Sequence, residues 1–200
     1  MTVERAESQL MSMEDYLAWE NEQQVKHEYI GGVVYAMAGA RNRHNLVASN
    51  VMVSIGPQLR GKPCKTYNSD TKVRVLLPTH TRFYYPDVMV VCQPSSPDLS
   101  YQEGPTVIVE VISERSRRTD QQEKREAYLA LGTLQIYLIV EQASAAATIW
   151  RRADQGFAGE VYAGLDAVIA LPEIGAQLAL AEVYDGVSFG PDPDDDIDTR

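Results

Sequence analysis

The chain has 200 residues, 44% of them hydrophobic, which suits one domain of ordinary size with a substantial core. No run approaches the roughly 18 apolar residues of a membrane span, and an N-terminus carrying Glu4, Glu7, Glu14 and Asp15 does not resemble a signal peptide. A soluble cytoplasmic protein with no membrane partner is expected, and its net charge of −10 argues at first against nucleic acid.

Residues 9–23, "QLMSMEDYLAWENEQ", predict a short amphipathic helix with Ser12 as N-cap and Glu14 and Asp15 in its first turn. "KHEYIGGVVYAMAG" predicts two short strands meeting at Gly31-Gly32. From Asn42 to Leu59, Leu46, Val47, Val51, Ile55 and Leu59 recur at helical spacing. "KTYNSDTKVRVLL" alternates like a half-exposed strand, while "RFYYPDVMVV" and "TVIVEVIS" are more continuously apolar, as central strands are. The Pro-, Ser- and Gly-rich stretch between those two predicts a loop long enough for antiparallel pairing. Residues 118–131 favour a helix ending near Gly132, then "LQIYLIVE", "ATIWRR", "GFAGEVYAG" and "DAVIALPEIG" read as strands and turns. This order indicates a mixed α/β domain with one sheet.

Charge is unevenly distributed. The tail "PDPDDDIDTR" contributes −4 and residues 1–28 contribute −5, whereas the segment from Arg41 to Arg82 holds eight bases against one acid, Asp70. Arg41, Arg43, Lys72 and Arg74 in that segment are candidates for contacts to a nucleic-acid backbone; a solvated face is the plainer reading of such a run. Cys64 and Cys92 lack CxxC spacing and the three histidines form no ligand pair, so zinc is not expected and both cysteines read as reduced core residues. There is no GxSxG and no evident Cys-His partnership for a hydrolase of that kind.

Glu110 carries the chemistry. It interrupts the apolar run "VIVEVIS", where an unpaired carboxylate would cost several kcal/mol, roughly, or take up a proton. Asp87 begins the strand that can pair with it, and neighbouring strands lie about 4.8 Å apart, close enough for two carboxylates to share a divalent cation. Lys124 follows on the next helix, sharing a face with Asp120 and Tyr128, and could reach the same point to orient water or stabilise charge on a phosphate. Taken singly, Asp87 is an ordinary turn residue and Lys124 half of an exposed helix pair. Asp70 is either a third ligand or a residue of the turn-like "YNSD".

"YYPDVMVV", "VIVEVISERS" and "TDQQEKREAYLALGTLQIYLIVEQ", in that order, resemble the Uma2 family of the PD-(D/E)xK, restriction-endonuclease-like superfamily. "MEDYLAWENEQQVKHEYIGGVVYAMAGARNRHN" resembles its N-terminal section and "LPEIGAQLALAEVYDGV" its C-terminal one. The resemblance implies an α/β fold with a restriction-endonuclease-like core, a mixed central sheet flanked by helices, an N-terminal helix and hairpin, and additional C-terminal strands. It places one domain at 12–187, between an N-terminal extension (1–11) and an acidic, disordered tail (188–200).

The resemblance also implies Mg²⁺ or Mn²⁺ held by Asp87, Glu110 and the Val111 carbonyl, DNA as partner, and no small-molecule cofactor. Ile112 stands where the superfamily carries its strand lysine, and Lys124 is the substitute. Glu28 and His44 line the same cleft in this reading, with Gln121 and Tyr128 flanking Lys124. The implied activity is hydrolysis of DNA phosphodiester bonds; a catalytically inactive nuclease-fold scaffold or a DNA- or protein-binding module is the alternative. A homodimer would let two sites address two strands, though no residue specifies one.

Overall fold

The computed structural model describes residues 10–112 and 119–190, with side chains described from residue 122 onward after the gap. The N-terminal extension up to residue 9 and the acidic tail from residue 191 lie outside these residues. No helix among those described is long and apolar enough to cross a membrane.

α1 (Met13–Glu20) starts where the sequence places it: the Ser12 hydroxyl accepts from the Asp15 N–H and caps the first turn. β1 (His27–Ile30) and β2 (Val33–Ala36) form the expected hairpin. Its two-residue turn has φ of 57° at Gly31 and 101° at Gly32, a left-handed pair that glycine adopts without strain. α2 (Asn42–Gln58) buries Val47, Val51 and Ile55, one face at a spacing of four.

The expected single sheet is instead three sheets among the described residues. Two runs that read as single strands each break and change sheet. β3 (Lys65–Asn68) and β4 (Lys72–Leu76) are separated by a turn in which the Asn68 side chain accepts from the Asp70 N–H. β5 (Thr81–Tyr84) and β6 (Val88–Val91) are separated by Tyr85, Pro86 and Asp87, where proline has no N–H to continue a ladder.

β1, β2, β4 and β5 enter a five-stranded sheet of order β2-β1-β5-β4-β7, with β7 the two-residue strand Tyr101–Gln102 inside the expected loop. The six-stranded sheet runs β11-β10-β9-β8-β6-β3, with β8 Pro105–Ile112, β9 Ile136–Glu141, β10 Ala146–Ala153 and β11 Gly156–Ala163. β8 is antiparallel to β6 and parallel to β9, which makes the sheet mixed. β12 (Val168–Leu171) and β13 (Ala176–Ala179) form a separate pair before α4 (Leu180–Val183). The helix expected at 118–131 opens with a π-helical segment, Thr119–Lys124, and continues as α3 (Arg125–Leu129).

Alternation along the central strands sorts their side chains into two cores. Val88, Val90, Val107, Val109 and Val111 face α2 and the C-terminal elements. Met89, Val91, Ile108 and Ile112 face the opposite way, toward α3 and the five-stranded sheet. By the same period of two, Asp87 and Glu110 both belong to the second face.

Cys64 and Cys92, read from the sequence as reduced, form a disulfide. Lys65 pairs with Val91, so the preceding and following cysteines stand at adjoining ends of β3 and β6. The bridge spans a separation of 28 residues. Replacing both cysteines by serine is expected to lower stability by about 3 to 4 kcal/mol, read as a lower urea midpoint. An unchanged midpoint would count against a formed bridge.

Candidate active site

The site begins where the β6–β8 ladder ends. Val88 pairs with Val109, and beyond it the ladder partner on β6 is replaced by the Asp87 side chain, whose Oδ2 accepts from the Val111 N–H at 2.7 Å. The Pro86-Asp87 step thus holds a carboxylate against the strand that carries Glu110. In an extended strand the N–H and C=O of one residue point to the same side, so the Val111 carbonyl faces that edge too.

His44, near the start of α2, approaches from the other core, with Nε2 at 3.1 Å from Asp87 Oδ2. Burial works against its imidazolium form, but the Asp87 bond and charge outweigh it, with smaller help from Asn45 and the Val111 backbone, so its pKa is raised. The buried His44 Nδ1 has no hydrogen-bond partner among the described residues.

Glu110 is 4% exposed and Lys124 8% exposed. The Tyr128 hydroxyl donates to Glu110 Oε1 at 2.8 Å, and Lys124 Nζ lies 3.8 Å from the same oxygen. Lys124 Nζ also lies 2.9 Å from Glu28 Oε1, which is out of line for a directed hydrogen bond. The buried carboxylate is therefore stabilised by an ammonium and a phenol. Burial, then the Glu110 charge, raises the Tyr128 pKa well above its usual value, so the phenol is a donor at neutral pH. Tyr128→Phe is expected to cost about 1.5 to 3 kcal/mol, because it removes a hydrogen bond to a charged group and leaves Glu110 one donor short. Urea denaturation measures this, and a loss under about 0.5 kcal/mol would remove the bond from the account.

The sequence candidates separate into those gathered here and those elsewhere. Two contact groups form, His44–Asp87–Val111 and Glu28–Lys124–Glu110–Tyr128, joined through the adjacent residues Glu110 and Val111 on β8. Asp70 is not among them: it sits in the β3–β4 turn, 2.6 Å from Lys26 Nζ. Arg74 pairs with Glu103 at 2.7 Å, Arg43 donates to the Gly190 carbonyl, and Arg41 precedes α2. Lys72 is buried in a cleft on the five-stranded sheet's side. The Gln121 side chain lies outside the described residues.

Tyr84 was missed by sequence reasoning. Its ring centroid is 5.6 Å from Lys124 Nζ, Arg82 donates to its hydroxyl, and burial pushes its pKa up to about 12. The only signal was its place in "YYPD", three residues before Asp87.

Among the described residues no group of three or more His, Cys, Asp or Glu side chains is gathered to hold a metal. The donors that neighbouring positions on β8 and the step before β6 offer are two carboxylates and a carbonyl, the hard oxygen type that suits Mg²⁺ or Mn²⁺ rather than zinc. Glu28 Oε1, buried and without a directed bond, adds to that oxygen-rich character. In donor type, though in no geometry shown here, these residues suit a hard divalent cation.

A crystal structure from Anabaena variabilis, titled a "putative nuclease belonging to DUF820", shares the fold with a TM-score of 0.70 at 14% identity, over 89% of this chain and 99% of that one. The Uma2 family profile, described as "Putative restriction endonuclease", matches residues 13–181, and the chain belongs to that family. Two Synechocystis proteins are similar to it. The uncharacterized protein slr1290 is 31% identical over 90% of this chain and 94% of its own length. The uncharacterized protein sll1609 is 28% identical over 68% of this chain and 78% of its own length. Family and fold together support a nuclease-type function.

Proposed function

We propose that the protein is a metal-dependent endonuclease that hydrolyses phosphodiester bonds in DNA. The observation that supports this best is that Val111, next to Glu110 on β8, donates its N–H to Asp87 at 2.7 Å, while Lys124 lies 3.8 Å from Glu110. Asp87, Glu110 and the Val111 carbonyl would hold Mg²⁺ or Mn²⁺. When bound, such a cation supplies Lewis-acid polarisation of the phosphate and a more acidic water.

The chain's own residues do the rest. Val111 N–H and His44 fix the Asp87 carboxylate, Tyr128 fixes that of Glu110, and Lys124 offsets charge developing on the phosphate. Arg41, Arg43 and Arg74 are proposed contacts to the DNA backbone, which position a duplex without reading sequence. The domain at 12–187 is proposed to act as one unit, and a homodimer would bring two such sites to two strands.

A second reading, an inactive nuclease-fold scaffold or binding module, is favoured by Ile112. It occupies the superfamily's strand-lysine position and is fully buried, while Lys124 already faces two carboxylates. Incubating the full chain with single-stranded, double-stranded and branched DNA, with and without Mg²⁺, separates the two. Magnesium-dependent cleavage supports the enzyme; calorimetric Mg²⁺ binding with no turnover on any substrate supports the scaffold.

A further inference from the structure

A cleft of about 810 Å³ opens between the α1–β1 connection, the β3–β4 turn and the loop before β7. Glu28, His44, Asp87, Glu110 and Lys124 do not line it. Lys72, the first residue of β4, does, and it is only 4% exposed. Its ammonium has no hydrogen bond or ion pair among the described residues; its one close partner is the Tyr85 ring, centred 5.4 Å from Nζ. The side chain is thus covered by protein while its ammonium faces the cleft without a paired anion among the described residues.

The neighbours do not supply one. The nearby Glu20 carboxylate is taken up by the His27 N–H, the His27 ring and the Tyr85 hydroxyl, so three groups already draw on its charge. Asp70 is paired with Lys26. Lys26 itself lies 5.6 Å from the centre of the same Tyr85 ring, which gives the cleft a second cation at its rim. Burial holds the Lys72 pKa below its usual value, with Glu20 opposing, so an incoming anion would restore what burial removes.

We propose that this cleft is a phosphate-binding site of nucleotide size, separate from the catalytic cluster, in which Lys72 supplies the unpaired charge. Its volume falls within the roughly 300 to 1,000 Å³ of small-ligand sites. Tyr67 and Tyr85 provide aromatic walls, and Asn21, Gln24 and Gln102 provide amides for a sugar or base edge. The phosphate could come from a free nucleotide or from a nucleic-acid strand; both present the same group to Lys72.

The test uses the full chain and three probes: thymidine 5′-monophosphate, thymidine, and a short single-stranded oligonucleotide without terminal phosphates. Amide shifts at Thr71, Lys72 and Val73 report binding in the unaltered protein, and calorimetry reports affinity. Thymidine is expected to give no shift. A shift with the monophosphate identifies a free nucleotide as source, and a shift with the oligonucleotide alone identifies a strand. In either case Lys72→Met is expected to weaken binding at least about tenfold, a factor equal to one 1.4 kcal/mol step. Asp87→Ala should leave binding unchanged, which keeps this site distinguishable from the proposed nuclease centre. Absence of any shift with both phosphate probes, or equal affinity in Lys72→Met, overturns the proposal.

Discussion

Replacing Asp87 or Glu110 by alanine is expected to lower Mg²⁺-dependent DNA cleavage by at least about a hundredfold, the scale on which removal of one pre-positioned charge-stabilising group acts. The two variants should differ in their structural cost. Asp87 is part-exposed at a strand end and its loss frees one Val111 N–H and one face of His44. Glu110 is buried under Tyr128 and Lys124, so its loss takes the acceptor from the Tyr128 phenol and one of two carboxylates from beside the Lys124 ammonium. Asp87→Asn is therefore the cleaner probe of charge, since the amide oxygen can still accept from Val111. Cleavage rates from folded Asp87→Asn and Glu110→Ala protein, with folding checked by circular dichroism, decide the matter. Cleavage undiminished in both variants would remove these carboxylates from the mechanism.

Lys124→Met is expected to destabilise the fold by about 3 to 5 kcal/mol, the usual cost of removing one partner from a buried charge cluster. The Glu28, Lys124 and Glu110 side chains are 15%, 10% and 5% exposed, so solvent can screen little of what the ammonium leaves behind. Adding Glu28→Gln should recover part of the loss, because one of the two carboxylates beside the removed ammonium is then neutral. A double-mutant cycle in urea isolates the coupling between Lys124 and Glu28. If the two losses simply add, the 2.9 Å contact contributes nothing to stability and Lys124 is held for another reason.

Much of the fold could be read locally. The Gly31-Gly32 turn, the α2 face of Val47, Val51 and Ile55, and the antiparallel approach of the Asp87 and Glu110 strands are all consequences of short-range pattern. The sheet count was not legible, because apolar continuity does not reveal where a chain leaves one sheet for another. Pro86 marked one such place, and only its missing N–H hinted at it. The disulfide was hidden for a similar reason: whether Cys64 meets Cys92 depends on the register of β3 against β6.

The candidate site divides the same way. Glu110 announced itself as a carboxylate in an apolar strand, and Lys124 followed from helix spacing. The contact between Lys124 and Glu28 joins the end of the π-helical segment to β1, a separation in sequence that no local pattern spans. Lys72 read as one base in a basic run, yet its burial sets it apart from Arg43 and Arg74.

The position of β8 inside the six-stranded sheet has a consequence for the order in which the molecule comes apart. Its backbone is bonded to β6 on one side and β9 on the other, with both faces covered, whereas β3 and β11 are outer strands. Amide exchange from such a strand requires opening close to the global one, while outer strands fray at much lower cost. Glu110 therefore rides on an inner strand expected to exchange slowly, and excursions that loosen β11 or the β2 edge are expected to leave its carboxylate where it was. Asp87, anchored to that same strand through the Val111 N–H, shares this protection despite belonging to a connection between sheets.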